Sequence, residues 1–370
     1  MTGFHGSYRA QDVEFLLKPI PVTMVADIHD KERLIQSGQR HYSEMLTPEK
    51  LPSERYRRLF YAALEENRER MARDCLTLAQ DILQQVGSRP TLVSLARAGT
   101  PIGAILAHLL RKLTGHAIPH YSISIIRDRG IDANALDTIL QRGAAPESIV
   151  FIDGWTGKGV ISDELCRAVT AYNRRRETHI PPHLYVLADL AGKAFCAASA
   201  DDYLIPSSIL NATISGLVSR SVLNEVIGPG DFHGCVYFGE FAEHDLSVWF
   251  VDEIVNTAKR LQPHADQPAA PGRRACSEQR RKSLARRSEA FIATEMARYG
   301  ITDRNLIKPG IGEATRVLLR RLPERLIVRD RGHAAVRHLL ALADEKGVAV
   351  EERPHLPLHA ISIIRSAHDA

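Results

Sequence analysis

Apolar positions recur at helical spacing through residues 54–86, where Leu59, Phe60, Ala63 and Leu64 are followed by Met71, Cys75, Leu78 and Ile82. That period predicts one long helix. Short apolar runs come next, and residues 90–96, 120–126, 148–152 and 183–188 read as four strands. A helix opens at residues 101–106, where Pro101 suits a first turn. Another covers residues 161–173. Strands alternating with helices predict a doubly wound α/β domain on a parallel sheet. Ligands in such sheets bind beyond the C-terminal strand ends, so chemistry is sought there.

A second pattern begins after residue 282. Residues 283–299 read as a helix that stops at Gly300, and another helix follows Lys308-Pro309-Gly310. Strand 325–329, helix 333–345 and strand 348–351 complete a small α/β/α sandwich. Between the two patterns lies Gln262 to Gly272, with three prolines among small and polar residues, a composition that resists helix and strand. The reading is therefore residues 1–261 as the first domain, 262–282 as a Pro/Arg-rich linker and 283–370 as the second domain.

Length and composition agree with that division. The chain has 370 residues, enough for two cores, and 44% hydrophobic with 25% charged residues is globular composition. No run approaches the roughly 18 apolar residues of a membrane span, and residues 1–6 lack a secretory pattern. Five scattered cysteines without a Cys-x-x-Cys pair fit a reducing cytoplasm. The net charge of +4 hides an asymmetry. Residues 262–370 carry 20 Lys/Arg against 13 Asp/Glu, so the remainder is slightly acidic. Arg273, Arg274, Arg280, Arg281, Lys282, Arg286 and Arg287 crowd the start of the basic part. A basic module suits a polyanionic partner.

Three strand ends carry candidate chemistry. The strand at 149–152 runs into Asp153-Gly154-Trp155-Thr156-Gly157-Lys158-Gly159, where glycines, a hydroxyl and a helix start make an anion cradle. Its spacing departs from a P-loop, because Gly159 stands where Ser or Thr is needed. The segment resembles the ribose-phosphate loop of type I phosphoribosyltransferases, with Gly154 in place of the usual second acid. The resemblance implies that Asp153 holds ribose hydroxyls and that Thr156, Gly157, Lys158 and Gly159 hold a 5′-phosphate. Arg97, Ala98 and Gly99, after the strand at 90–96, resemble the pyrophosphate loop. Arg127 and Arg129 resemble the mobile loop between those sites, and Asp153, Arg127 and Arg129 are the implied catalytic residues. Asn211 and Arg220, in a hydroxyl-rich segment, are acceptor-side candidates. The implied substrate is phosphoribosyl pyrophosphate or a related nucleotide. Mg²⁺ is the implied cofactor, bridging pyrophosphate with no direct protein ligand.

Residues 6–18, 41–45 and 205–221 resemble a bacterial subfamily called StiP, found with tellurite-resistance and stress-response genes and described both as a cysteine protease and as phosphoribosyltransferase-like. The nucleophile for proteolysis is Cys235, with His233 two residues away. A buried structural cysteine is the competing reading.

The second domain resembles the Pelota-type RNA-binding fold. Glu313 and Arg316, three residues apart, share one helix face after Gly310. The resemblance implies that Glu313 meets a base edge and that Arg316, Arg320 and Lys308 meet phosphates. Gly312 stands where that fold has an asparagine. The expected function is thus a phosphoribosyltransferase-like enzyme of stress response, coupled to RNA binding and without a membrane, with a homodimer among the open oligomeric states. Gly154 supports the alternative of a non-catalytic, nucleotide-sensing RNA-binding regulator. Proteolysis is the second alternative.

Overall fold

A computed structural model describes residues 4–22, 24–261 and 277–365. The stretch at 262–276, which holds Arg273, Arg274 and most of the expected linker, lies outside the described residues. The chain starts with β1 (Glu14–Leu16), β2 (Lys18–Pro19), α1 (Ile28–Gln36) and α2 (Glu54–Val86). β3 (Thr91–Leu95), α3 (Gly99–Thr114), β4 (His120–Ile123), β5 (Ile125–Ile126) and β6 (Gly130–Ile131) follow. Next come α4 (Ala133–Gln141), β7 (Ile149–Thr156), α5 (Val160–Arg176), β8 (Leu184–Asp189), β9 (Cys196–Ser199), β10 (Gly234–Cys235) and α6 (Ser247–Leu261).

Six strands form a parallel sheet in the order β1-β4-β3-β7-β8-β9. Its central strands are apolar because both faces are covered. Val150 and Ile152 face a core shared with α2, α3 and α6, whereas Ile149 and Phe151 face α4 and α5. The chain moves outward from β3 to β4, then returns past β3 to β7, so the strand order reverses between β3 and β7. The crevice beyond those two strand ends is where this architecture places ligands.

Local signals explain the boundaries. Ser53 caps α2 by accepting the Tyr56 N–H at 3.2 Å, and Gly87 ends it at φ +94. Asp132 caps α4 through the Ala135 N–H at 3.1 Å.

The second unit holds α7 (Glu278–Tyr299), β11 (Ile307–Pro309), α8 (Ile311–Arg320), β12 (Pro323–Val328), α9 (Arg337–Glu345), β13 (Ala349–Glu352) and β14 (Ala360–Ile364). Its sheet runs β11-β14-β12-β13, parallel only between β12 and β13. Alternation sorts its faces. Ile327, Ile361 and Ile363 pack with Phe291 and Tyr299 of α7, while Leu326, Val328 and Ala360 join the core of α8 and α9.

That second core is continuous with the first, since Leu339 and Leu342 of α9 belong to the same apolar cluster as Phe60 and Leu64 of α2. The two units are therefore docked through apolar packing rather than tethered as independent bodies. No helix among the described residues is long and apolar enough to cross a membrane.

Candidate polyanion cleft between the domains

The three predicted strand-end segments do converge. β3 and β7 are neighbours, and Arg97 and Ala98 line a chamber of about 220 Å³ together with Asp153 and Trp155. The chamber adjoins a cleft of about 830 Å³ whose walls come from both units. Asp153, Thr156, Gly157, Lys158 and Gly159 line the first wall, with Arg127 and Arg220. Lys308, Glu313, Arg316, Arg320 and Arg321 line the facing wall.

The glycine-rich turn, however, is closed by protein. A Cβ on Gly157 would stand 2.8 Å from Glu313 Cγ and 3.0 Å from the Pro309 carbonyl oxygen. Gly159, at φ +80, is covered by the Lys193 side chain. Gly99 lies against the Ile152 carbonyl. The Thr156 hydroxyl donates to Asp189, and Lys158 Nζ donates to the Arg304 carbonyl at 2.6 Å. Glycine permits close approach by any group. Here the group approaching Gly157 is the start of α8.

The same docking accounts for Gly312 and Gly310. A Cβ on Gly312 would overlap the Trp155 indole, so the position is a helix–strand contact rather than a vacant base-reading position. Gly310, at φ +88, lies against Leu190 and Asp202. Asp202 accepts N–H bonds from Ile311 (2.8 Å) and His359 (2.8 Å), which ties the first unit to the start of α8. Sequence reasoning missed Asp202, and its place between Ala200 and Leu204 offered no motif to find it.

Most of the predicted cations already have protein partners. Arg97 pairs with Glu49 at 2.6 Å and donates to the Val218 carbonyl at 2.7 Å. Arg127 pairs with Asp128 at 3.1 Å, and Arg129 with Glu44 at 3.0 Å. Arg220 donates to the Tyr42 carbonyl at 2.6 Å, and Arg320 to Asn211 Oδ1 at 2.8 Å. Arg316 pairs with Glu313 at 2.8 Å and lies 4.2 Å from the Trp155 ring centroid.

The cleft nevertheless holds more positive than negative charge. Lys31, Lys50, Arg127, Lys158, Arg220, Lys308, Arg316, Arg320, Arg321 and Lys346 line it, against Glu49, Asp153, Glu313 and Glu345. Burial, reinforced by neighbouring arginines, brings Lys31 down to about 8 and lowers Arg320 from its ordinary value. Burial and Lys308 bring Lys158 down to about 7. Burial raises Asp153 to about 6, partly offset by Arg316. Glu313 is pushed up by burial, but Arg316, Lys308 and Lys158 outweigh it and leave the carboxyl below its usual range. Cations that depress one another in this way favour an anionic ligand.

The thiol site is arranged differently. Cys235 is fully buried in β10, and burial pushes its thiol up to about 12. His233 places Nδ1 2.8 Å from Ser124 Oγ, and its backbone N–H donates to Asp132 at 2.6 Å. Among the described cysteines, Cys166 is exposed and Cys75 is buried.

Comparisons with known proteins bear on these alternatives. The family described as "Tellurite-like stress resistance cysteine protease StiP" matches residues 6–255. The family described as "PELOTA RNA binding domain" matches residues 286–366. The cysteine protease StiP of Acinetobacter baylyi (strain ATCC 33305 / BD413 / ADP1) is 39% identical, over 98% of this chain and 94% of that protein. These matches overturn the expected phosphoribosyltransferase activity, because both the family and the relative are named as cysteine proteases. They give no support to a phosphoribosyl pyrophosphate partner or to a homodimer. With one family match spanning most of the first unit and a relative aligned almost end to end, this chain belongs to the StiP family.

Proposed function

We propose that this StiP-family protein is a stress-response factor that binds RNA in the cleft between its two units. The observation that carries the reading is the charge of that cleft. Ten cationic side chains line it against four carboxylates, and Lys308, Arg316 and Arg320 come from the unit that matches an RNA-binding family. Phosphates suit such a surface, since each Lys or Arg that meets one releases bound counterions. The test is fluorescence anisotropy with labelled RNA. Arg320→Gln is expected to weaken binding at moderate salt and to reduce its salt dependence, and unchanged affinity overturns the assignment of the cleft.

A second reading carries the relative's name across, as a cysteine protease acting through Cys235. It is favoured by the end-to-end similarity and by the place of His233 two residues before that cysteine. A nucleophilic thiol must be deprotonated and reachable. Proteolysis therefore requires the buried β10 segment to open and the thiol pKa to fall. Peptide hydrolysis by the intact chain that is lost in Cys235→Ala supports this reading. Absence of hydrolysis, or full hydrolysis by Cys235→Ala, overturns it.

A further inference from the structure

The α8 face of an RNA-binding module is open when it reads a folded RNA, but here it is covered by the first unit. Gly312 lies against Trp155, Arg316 lies over the same ring, Asp202 holds the Ile311 N–H and Arg320 is bonded to Asn211. A double-stranded segment cannot be laid across that face while these contacts stand. What remains open is the cleft of about 830 Å³ and its side chamber of about 220 Å³. The cleft has the dimensions of a small-ligand site, which run to roughly 300–1,000 Å³, and the chamber is a smaller recess beside it.

The chamber has its own chemistry. Ser208 and Ser221 line it, each more than nine-tenths buried, and both hydroxyl oxygens lack a hydrogen-bond partner. Buried hydroxyls are nearly always partnered, and leaving one unpaired is costly. Two such groups, in a chamber also lined by Arg97, Asp153, Arg220, Arg316 and Arg320, suit a planar, polar guest. The cleft at its mouth, with Lys31, Arg220 and Arg320, suits the charged group attached to that guest.

We propose that the cleft takes the end of a single RNA strand, with the terminal base in the Ser208/Ser221 chamber and its phosphates among Lys31, Arg220 and Arg320. This rests on the RNA reading above and narrows it to one class of RNA. An unpaired end, like a loop or bulge, leaves its base edges free to be bonded, and an end has chain on one side only to be admitted. The bonds expected are from base edge groups to the two hydroxyls, and from the cationic side chains to phosphate oxygens.

The experiment uses the full chain carrying Trp249→Phe, which leaves Trp155 as its single tryptophan, since the sequence has two. Trp249 lies near Tyr61, outside the residues that line either cavity. A short single-stranded oligoribonucleotide is titrated, then the same sequence closed into a hairpin with no free overhang. Both a change in Trp155 fluorescence and at least ~10-fold tighter binding of the single strand are expected, the discrimination one well-held base provides. Ser208→Leu, which fills the chamber, is expected to remove most of that preference while retaining residual RNA affinity. Ser208→Thr adds only a methyl and keeps the hydroxyl, so it controls for loss of fold and should retain the preference. Equal affinity for both RNAs, or a preference unaltered in Ser208→Leu, overturns the inference but leaves the RNA reading in place. Failure of both RNAs to bind overturns both.

Discussion

The Arg316 guanidinium lies 4.2 Å from the centroid of the Trp155 ring, joining the first turns of α8 to the end of β7. Trp155 is the residue that displaces any side chain from position 312. The Arg316–Trp155 contact adds to the apolar packing of α9 on α2 and to the Asp202 hydrogen bonds that hold the second unit over the strand ends of the first. Cation–π pairs of this kind contribute about 0.5–2 kcal/mol, according to how far they are desolvated. Urea unfolding of Arg316→Ala, Trp155→Ala and the double variant should give a coupling in that range. Strict additivity would show that the stack carries no docking energy.

Gly312→Ala should destabilise the protein by about 1–3 kcal/mol, because the added methyl overlaps the indole in a packed contact. Thermal unfolding reads the loss. Placed in a Trp155→Ala background, the same substitution should cost little, since its obstacle is gone. An equal cost in both backgrounds would assign the effect to α8 itself.

Asp202 gives a pH dependence to the docking. Burial raises its carboxyl to about 6, against which the three backbone N–H groups it accepts, and Arg329, push downward. The folded state thus holds the proton more tightly than the unfolded chain does. The corresponding stability is fully present below the ordinary carboxyl pKa of about 4 and is lost as pH rises through about 6. Wild type should therefore lose up to about 2–3 kcal/mol across that window relative to Asp202→Asn, as measured by denaturant midpoints. Parallel pH profiles for the two proteins would contradict it.

Lys31 supplies a second pH signature, on affinity. Burial and nearby arginines bring its ammonium down to about 8, so above that pH the cleft loses one cation. RNA affinity should fall as pH is raised through 8, and Lys31→Arg should flatten the profile, because arginine stays charged. Anisotropy titrations at fixed salt check this. A decline of the same size in Lys31→Arg would place the titrating group elsewhere.

Much of the scaffold was legible in the sequence. The helix at 54–86 carries its own start and stop in Ser53 and Gly87, and the parallel strands are continuous apolar runs. β1, β2, β6, β9, β10, β11 and β14 escaped notice. β9 follows β8 after only a short turn, without the helix that marks the other strands. The site was legible as a place but not as a chemistry. Asp153, Arg97 and Arg220 do meet at the β3/β7 crevice. Gly157 and Gly312 signalled close approach, but a glycine does not record what approaches it. At Gly157 the neighbour is a helix start, where the sequence suggested a phosphate. The docking of α9 on α2 was invisible because each helix is amphipathic by itself, and periodicity names a buried face without naming its partner.

The central claim is that RNA occupies the cleft between the units, and photo-cross-linking with mapping of the attached peptides tests it most directly. RNA carrying photoactivatable uridines should attach to cleft residues such as Tyr42, Trp155 and Leu319, with the yield reduced in Arg320→Gln. Cross-links confined to the exposed start of α7, around Arg280, Lys282, Arg286 and Arg287, would contradict it.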